Sequence, residues 1–313
     1  MILVTGANGF VGKAMISQLK LLDYQVRGSL RSQLPYGKHE EFVRVSSLDG
    51  DTDWSHALRS CKTVVHLAAM AHSYVGEKSN EDAELMRHNC EGTINLARQA
   101  EEAGVKRFIF LSSTGVMGPQ VTSGVPYMPD SLPNPHDSYT KSKSCAEQKL
   151  IELSNELAME VTILRAPVVY GPNAPGSIGS LTKAIKLGMP LPLGGLLNRR
   201  HLISIDNLVE LMVSCISSSA SANGVFIASD DEVISTSDLC YLCGQFAGKR
   251  PRLISMPPRL LMFIAHLLGM QKKAATLLGD LELDASKTYS HFKWSAGYSP
   301  SKHILEIKNS NNP

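Results

Sequence analysis

The chain has 313 residues, 43% of them hydrophobic and 19% charged, a composition typical of a soluble globular protein with a substantial core. Its net charge of +2 gives no reason to expect nucleic acid or an anionic membrane as the main partner. An apolar run begins at the first residue, which leaves no room for a signal peptide, and no run is long enough to span a bilayer. We therefore expect a cytoplasmic protein without membrane insertion.

Apolar runs alternate with amphipathic segments in the first half of the chain. These patterns predict strands at Ile2–Thr5, Gln25–Leu30, Glu41–Val45, Thr63–Leu67, Arg107–Ser112 and Glu160–Arg165. They predict helices at Gly9–Leu22, Trp54–Leu58, Glu81–Gly104 and Ser138–Glu156. The alternation is typical of an α/β doubly wound parallel sheet, the Rossmann fold, and we assign residues 1–166 to it. Ligands of such a sheet collect at the carboxyl ends of its strands.

Prolines and glycines interrupt the pattern after Pro167. Residues 167–313 are therefore predicted to form mostly a smaller C-terminal substrate-binding lobe, with parts of 198–235 returning to the first domain. Its predicted elements are helices at Asn207–Ser217, Thr236–Phe246 and Pro258–Leu268 and a strand at Val225–Ala228. The segment Leu260–Met270 is too short to span a membrane and contains His266, so we predict a buried helix there.

Three glycines, Gly6, Gly9 and Gly12, follow the first predicted strand. Gly6 allows a sharp exit from the strand, Gly9 a close approach to a pyrophosphate, and Gly12 tight packing of the next helix. The free N–H groups and the dipole at the start of that helix favour a bound anion. The pattern predicts a nicotinamide dinucleotide cradle, and the alternative is an ordinary glycine-rich turn.

Tyr139 and Lys143 are four residues apart, which places them on one face of a helix. A free tyrosine has a pKa of about 10. A neighbouring ammonium group and a cationic nicotinamide both favour the phenolate, so we expect a lowered pKa for Tyr139. Lys143 can also donate hydrogen bonds to the nicotinamide ribose. The alternative is a surface Tyr/Lys pair without a catalytic role.

Small hydroxyl residues end the predicted strand before this helix. Ser112 and Ser113 close the run Phe108–Leu111, at the edge where a doubly wound sheet binds its ligand. Ser113 is a candidate to bind a substrate oxygen beside Tyr139. The alternative is a polar strand end that caps the following segment.

Six cysteines are present, and none is predicted to bind a metal. Cys240 and Cys243 form a Cys-x-x-Cys pair without a second pair or a nearby histidine, so a metal would lack ligands. We expect all six to be buried thiols of a reducing compartment.

Several motifs together resemble the extended short-chain dehydrogenase/reductase family, in its nucleotide-sugar epimerase/dehydratase branch. They are Thr5-Gly6-Ala7-Asn8-Gly9-Phe10-Val11-Gly12, Val65-His66-Leu67-Ala68-Ala69, Asn89, Ser112-Ser113, Tyr139 with Lys143, Arg165-Ala166-Pro167-Val168-Val169-Tyr170-Gly171-Pro172, and Asp284-Ala285-Ser286-Lys287 followed by Trp294. The resemblance covers nearly the whole chain. It is nearest to bacterial polysaccharide-pathway proteins that act as UDP-N-acetylhexosamine 4-epimerases or 4-keto-reductases.

The resemblance implies a site. The catalytic set is Ser113, Tyr139 and Lys143. The cofactor, NAD or NADP, is expected at Gly6, Asn8, Gly9, Phe10, Val11, Gly12, Arg31, Leu48, Leu67, Ala68, Ala69, Asn89, Ser112, Tyr139, Lys143, Pro167 and Val168. A nucleotide sugar is expected at Ser113, Thr114, Ser177, Leu191, Leu193 and Arg200, with Arg200 on the diphosphate and the two leucines beside the base. Relatives dimerise through the helices predicted at Glu81–Gly104 and Ser138–Glu156, and we expect the same homodimer.

The resemblance implies hydride transfer at C4 of a UDP-hexose. The overall reaction would be either 4-epimerisation or the reduction of a 4-keto-6-deoxy sugar. The 4,6-dehydratases of this branch carry an acidic pair where this chain has Thr114 and Gly115, so dehydration lacks its acid and base. NAD-preferring relatives have an acidic residue at the position of Leu30, whereas here Arg31 follows and could pair with a 2′-phosphate, which favours NADP slightly.

Two departures from the family pattern concern the sugar pocket. Val168 stands where many relatives have an asparagine that contacts the substrate, and Met117 replaces a tyrosine. Two alternatives therefore stay open. One is an NADPH-dependent reductase of a carbonyl compound without a nucleotide, and the other is a catalytically idle NADP-sensing protein.

Overall fold

A computed structural model describes residues 1–31, 41–70, 81–121, 124–156, 158–269, 271–301 and 304. The strands are β1 (Ile2–Thr5), β2 (Val26–Leu30), β3 (Phe42–Arg44), β4 (Thr63–His66), β5 (Arg107–Ser113), β6 (Glu160–Ala166), β7 (Val169–Tyr170), β8 (Pro190–Gly194), β9 (Arg200–His201), β10 (Ile203–Ser204), β11 (Gly224–Ile227), β12 (Val233–Ile234) and β13 (Arg252–Ser255). The α-helices are α1 (Phe10–Leu21), α2 (Ser55–Leu58), α3 (Glu81–Leu85), α4 (Gly92–Glu102), α5 (Ser138–Ser154), α6 (Gly176–Lys186), α7 (Ile205–Ser217), α8 (Thr236–Ala247), α9 (Pro258–Leu267), α10 (Gln271–Leu278) and α11 (Ser286–Phe292). No helix within these described ranges is long and apolar enough to cross a membrane.

Seven parallel strands form the main sheet, in the order β11-β6-β5-β4-β1-β2-β3. β1 lies between β2 and β4, and Val4 is in register with Gly28 on one side and Val65 on the other. The strand order therefore reverses beside β1. Open α/β sheets bind their ligands at such a reversal, outside the carboxyl ends of the strands. The predicted doubly wound parallel sheet is confirmed.

Alternate residues of the buried strands pack on opposite faces of the sheet. Leu3 and Phe108 belong to one hydrophobic core, together with side chains of α2, α4 and α5. Val4 and Ile109 belong to the other, together with side chains of α1 and α7. All four are completely buried. Successive side chains of each strand therefore enter different hydrophobic cores, which is why the strands are apolar on both faces.

One predicted helix has an interruption. The segment predicted at Glu81–Gly104 consists of α3, a π-helical turn at Met86–Glu91, and α4. Next to the turn, a Cβ on Gly92 would overlap the carbonyl group of Leu48. The widened turn thus brings the backbone of the following helix against the loop after β3, and π-turns of this kind are frequent at functional sites.

Short strands and the helices α6 and α8 to α10 make up most of the C-terminal part of the chain. The buried carboxylate of Asp230, after β11, joins three of the elements that follow the first domain. It accepts hydrogen bonds from Tyr170 Oη of β7 (2.7 Å), Asn207 Nδ2 of α7 (2.7 Å) and the Ser204 amide of β10 (3.2 Å). Burial raises the pKa of Asp230 to about 6. The strand β11 returns to the main sheet beside β6.

The helix α9 corrects one prediction. Within α9, all of which the structure describes, only Ala265 is buried, whereas Phe263 is 59% exposed and Leu267 is 68% exposed. The predicted buried helix in Leu260–Met270 is therefore wrong, and residue 270 itself lies outside the described residues. The physical reason is the lobe's small core: Leu261 packs against it, and within this fully described helix Ala265 is the one buried residue.

The cysteines correct a second prediction. Cys90 of the π-helical turn and Cys145 of α5 form a disulfide, with Cα atoms 5.9 Å apart. The other four, Cys61, Cys215, Cys240 and Cys243, are buried free thiols, as predicted. The two paired cysteines are 55 residues apart in sequence, so their spacing gave no sign of the contact.

The disulfide predicts the thiol count of the purified protein. All six cysteines lie in the described residues, so the denatured, unreduced chain should release four thiols and the reduced chain six. A thiol titration in denaturant, with and without prior reduction, measures both numbers. Six thiols before reduction would show that Cys90 and Cys145 are not joined.

Candidate active site

A glycine turn joins β1 to α1. Gly6 has a φ of +66°, in the left-handed region that favours glycine, and its carbonyl oxygen accepts a hydrogen bond of 2.9 Å from the Gly9 amide. A Cβ on Gly9 would lie 3.1 Å from that oxygen, and a Cβ on Gly12 would overlap it. Gly9 caps α1 without a side-chain hydrogen bond. The first turn of α1 therefore presents its N–H groups to a ligand, as an anion requires.

A cavity of about 280 Å³ opens at this turn. Its walls follow the ends of four neighbouring parallel strands, β1 to β4. Eight of the predicted cofactor residues line it, and they are Gly6, Asn8, Gly9, Arg31, Leu48, Leu67, Ala68 and Ala69. The structure thus brings together residues that are up to 63 positions apart in sequence.

Polar groups in and near the cavity fit a dinucleotide. Ser29 lines the cavity, and within the described part of the chain its buried Oγ has no hydrogen-bond partner. The same holds for the buried Oγ of Ser112, at the end of β5. Arg31 is exposed at the wall, and none of the described lining residues is an aspartate or glutamate. A ribose or phosphate oxygen could satisfy these donors, so the residues fit a nicotinamide dinucleotide.

A buried polar chain fixes the strand ends below the cavity. Thr5 Oγ1 accepts hydrogen bonds of 3.1 Å from the amides of Leu67 and Ala68, and it lies 2.7 Å from His66 Nδ1. His66 Nε2 lies 3.0 Å from Thr93 Oγ1, whose proton goes to a backbone carbonyl. The one consistent arrangement has His66 neutral with its proton on Nε2. Burial, followed by the charge of Lys143, lowers the pKa of His66 to about 3 and keeps it neutral.

The side chain of Asn89 joins the cavity wall to α5. Its Oδ1 accepts a hydrogen bond from the Met70 amide (2.7 Å), and its Nδ2 donates to the Met70 carbonyl (2.9 Å) and to Ser142 Oγ (2.9 Å). Ser142 Oγ in turn donates to the Tyr139 carbonyl (2.7 Å). Asn89 was predicted to line the cofactor site, but its amide is buried and engaged by the protein on both sides. It positions Met70, next to the cavity wall, relative to α5.

Ser113 and the first turn of α5 lie on either side of Gly115. A Cβ on Gly115 would lie 2.7 Å from Thr140 Cγ2 and 3.3 Å from Ser113 Oγ. Ser113 Oγ also accepts a hydrogen bond of 3.1 Å from the Gly115 amide. Ser113 therefore caps the 3₁₀ turn Thr114–Val116, as the alternative interpretation of the sequence predicted. A reciprocal pair of hydrogen bonds between Asp137 and Thr140 fixes the first turn of α5, which carries Tyr139.

Lys143 is buried between aromatic and charged side chains. Its Nζ lies 4.0 Å from the centre of the Phe110 ring, on β5. One turn further along α5, Glu147 forms a buried ion pair with Arg165 of β6, with 2.7 Å between Oε2 and Nη2. Burial lowers the pKa of Lys143 to about 7, and the negative charge of Glu147 opposes this shift.

The predicted acidification of Tyr139 is wrong for the protein's own residues. Burial, with a smaller contribution from the charge of Asp137, raises the pKa of Tyr139 to about 12. A Lys143 amine with a pKa of about 7 carries only part of its charge at neutral pH, so it offsets little of this rise. The protein alone therefore holds Tyr139 as a phenol. Any acidification must come from the other cation of the sequence argument, an oxidised nicotinamide.

The remaining predicted cofactor residues lie around the same strand ends. Phe10 and Val11 are in the first turn of α1 and pack partly against the core, and Gly12 follows them. Pro167 and Val168 come directly after β6, with Pro167 buried and Val168 half-buried.

Four predicted substrate residues are less favourably placed. Thr114 is buried in a short 3₁₀ turn, and Ser177 is exposed on the first turn of α6. Leu193 is buried in the core of the lobe, and Leu191 packs against that core. The prediction that the two leucines flank a nucleobase therefore has no support from their positions.

Arg200, the predicted phosphate ligand, is buried against α10. Its Nη1 donates hydrogen bonds to the carbonyls of Thr276 (2.5 Å) and Gly279 (2.7 Å). Burial lowers its pKa, and the charge of Asp280 opposes this shift. Arg200 therefore holds the end of α10, and binding of a phosphate would have to use its other N–H groups.

Sequence reasoning missed the residues that support the site. Val45 and Ser29 line the cavity, and Thr5, His66 and Thr93 form the polar chain below it. A histidine within the apolar run Thr63–Leu67 was the available signal, because a buried polar side chain must find partners. Among the described residues, no group of three or more His, Cys, Asp or Glu side chains could hold a metal ion.

The parallel sheet, the glycine turn and the Ser113, Tyr139 and Lys143 group define an extended short-chain dehydrogenase/reductase. The chain belongs to the NAD dependent epimerase/dehydratase family, whose sequence model matches residues 2–227.

Individual relatives agree with this assignment. A UDP-glucose 4-epimerase of Vibrio cholerae is 36% identical over 309 residues, which cover 97% of this chain and 92% of the relative. An N-acetyl-alpha-D-glucosaminyl-diphospho-ditrans,octacis-undecaprenol 4-epimerase of Escherichia coli O157:H7 is 30% identical over 216 residues, 67% of this chain and 61% of the relative. Among solved structures, MoeE5 in complex with UDP-glucuronic acid and NAD superposes with a TM-score of 0.75 at 22% identity, covering 99% of each chain.

The burial of Lys143 predicts a pH-dependent stability. Its pKa is lowered from 10.5 to about 7, so the unfolded chain binds more protons between these values and the free energy of unfolding rises with pH there. The variant Lys143→Met lacks this rise. Its stability relative to the wild type should therefore fall between about pH 7 and about pH 9.5, as measured by urea unfolding.

Lys141→Met is the matched control, because Lys141 is exposed on the same helix. It should show no such trend. A Lys143→Met difference that is constant across this pH range would contradict the buried, partly neutral amine.

Proposed function

We propose that the protein moves a hydride at C4 of a UDP-hexose and thereby interconverts 4-epimers. The proposal is supported above all by two neighbouring features at the carboxyl edge of the sheet: the cavity at the ends of β1 to β4, and Ser113 at the end of the adjacent β5, close to the first turn of α5 that carries Tyr139. The 36% identity to a UDP-glucose 4-epimerase over nearly the whole chain supports this choice of substrate. Its setting would be surface-polysaccharide synthesis in the cytoplasm of a bacterium.

Each residue of the catalytic set has a distinct task in this reaction. The nicotinamide, when bound, supplies and accepts the hydride. Tyr139 exchanges the proton on the C4 oxygen, and its neutral phenol is the form that donates to a 4-keto group. Ser113 accepts from the Gly115 amide and so can direct its own proton to the same oxygen. Lys143, whose Nζ lies over the Phe110 ring, orients the ribose.

The geometry next to Ser113 argues against a 4,6-dehydratase. Such an enzyme needs an acid and a base at the positions of Thr114 and Gly115. Thr114 is buried, and a side chain at Gly115 would collide with the Thr140 methyl group. A carboxylate pair therefore has neither the residues nor the space here.

Reduction of a 4-keto-6-deoxy sugar by NADPH is the second candidate. It is favoured by Arg31 at the cavity wall and by the lack of a carboxylate among the described lining residues, since a 2′-phosphate needs a cation and an NAD ribose prefers an acid. Reduction consumes its cofactor, whereas epimerisation regenerates it. A reductase would therefore have to release and rebind the dinucleotide.

We further propose a homodimer that pairs α4 and α5 of two copies. Ile151 on α5 is 44% exposed, which supports a contact there.

Replacing the catalytic phenol tests the proposal directly. Tyr139→Phe keeps the ring and removes the group that exchanges the proton, so conversion of UDP-glucose or UDP-N-acetylglucosamine to the galacto-epimer should fall by about 10²–10⁴-fold. Product is measured by chromatography without added cofactor. Tyr24→Phe is the control, because Tyr24 packs against the core just before β2, at the opposite edge of the sheet from the carboxyl ends of the strands.

The outcomes separate the alternatives. Loss of conversion in Tyr139→Phe alone supports the epimerase, and NADPH consumption on a 4-keto UDP-sugar with no epimerisation supports the reductase. Unchanged activity in Tyr139→Phe would refute both. Activity on a carbonyl compound without a nucleotide, unaffected by Arg200→Ala, would assign the protein to the small-carbonyl reductases.

The choice of cofactor rests on Arg31. If its guanidinium binds a 2′-phosphate, Arg31→Ala should weaken NADPH binding by about tenfold and leave NADH binding nearly unchanged. Titration of the intrinsic fluorescence measures both dissociation constants. Arg59→Ala, which replaces an exposed arginine at the C-terminal end of α2, controls for the loss of surface charge. Equal effects on the two cofactors would remove the argument for NADP.

A further inference from the structure

One segment of the C-terminal lobe concentrates positive charge. Residues 248–278 contain no aspartate or glutamate, whereas the rest of the chain has a net charge of −4. The basic residues of the segment are Lys249, Arg250, Arg252, Arg259, Lys272 and Lys273. The net charge of +2 for the whole chain therefore hides a strongly basic segment on a weakly acidic protein.

The same segment exposes apolar side chains. On α9, Leu260 is 46% exposed, Phe263 is 59% exposed and Leu267 is 68% exposed, and Leu268 follows at 67%. Leu260, Phe263 and Leu267 are spaced three and four residues apart, so they share one face of the helix. An ordinary surface helix turns its polar face to water. Here the outer face is apolar.

A groove between α9 and α10 adjoins this face. It has a volume of about 570 Å³, and its walls include Arg259, Met262, Phe263 and His266 from α9. Arg259 and Phe263 are one turn apart and both line the groove, so Arg259 adjoins the exposed apolar surface. Basic side chains around an apolar helix face are the pattern of helices that lie in the plane of a membrane surface.

We propose that the outer face of α9, which lies within the basic segment 248–278, is a docking surface for an anionic lipid bilayer. The helix would lie parallel to the membrane, with Leu260, Phe263 and Leu267 among the lipid headgroups and Arg259 on the lipid phosphates. Its ten residues span about 15 Å, enough to lie on a bilayer and too short to cross one.

Charge decides between a bilayer and a second copy of the chain as the occupant. Two copies joined through this face would bring two basic segments together, and like charges at close range are repulsive. An anionic bilayer supplies both the opposite charge and an apolar layer for the leucines. The proposal goes beyond the reaction proposed above and does not depend on it.

Vesicle flotation of the full-length protein tests the proposal. The protein should float with vesicles of equal parts phosphatidylcholine and phosphatidylglycerol, and much less with phosphatidylcholine alone. Arg259→Gln should lower the partition coefficient about fivefold. Phe263→Ser should lower it about tenfold or more, because an apolar ring no longer enters the interface.

Leu21→Ser is the matched control, since Leu21 is 76% exposed at the end of α1 and lies outside the basic segment. It should bind the vesicles as the wild type does. The circular dichroism spectrum of each variant establishes that it is folded. Failure of the folded wild type to float with anionic vesicles would overturn the proposal.

Equal flotation by wild type and Phe263→Ser would also overturn it. Sedimentation velocity identifies the competing occupant. If Phe263→Ser changes the oligomeric state while the wild type ignores vesicles, the face joins two copies of the chain.

Discussion

The site depends on one hydrogen-bonded side chain, the amide of Asn89. It binds both backbone groups of Met70, which follows the cavity-lining Ala69, and it binds Ser142 on α5. A buried amide with all these bonds made is rigid, and a partner lost there would leave a desolvated polar group. Asn89, a residue of the π-helical turn, therefore joins Met70, which follows the cavity-lining Ala69, to the helix that carries Tyr139.

The buried charged groups of α5 also have partners within the protein. Glu147 and Arg165 pair across α5 and β6, and Lys143 lies one turn before Glu147. A lone ammonium in this core would be very costly to bury, and the nearby carboxylate reduces that cost. Burial still lowers the pKa of Lys143 to about 7, so the amine is only partly charged at neutral pH, and burial keeps Tyr139 protonated. This suits proton donation to a keto oxygen, and the opposite direction needs the positive charge of the oxidised cofactor.

The sheet and the glycine turn could be predicted because their signals are local. Apolar runs of four to seven residues mark the strands, and three glycines within seven residues mark the cradle. The hydrogen bond between Asn89 and Ser142 could not be predicted, because the two residues are 53 positions apart in sequence. The pKa of Tyr139 depends on burial, which no spacing reports. The basic segment 248–278 was also missed, because the net charge of the whole chain does not show how the charges are distributed along it.

The central claim is that hydride passes between a dinucleotide in the glycine-turn cavity and C4 of a sugar beside Tyr139. It is tested most directly by supplying reduced nicotinamide dinucleotide deuterated at C4, in both diastereomeric forms, with a 4-keto UDP-hexose. Mass spectrometry then locates the label in the product. With one of the two forms, we predict a single deuterium at C4 of the sugar. A reduced sugar without deuterium from either form would contradict the account, because its hydride would have come from elsewhere.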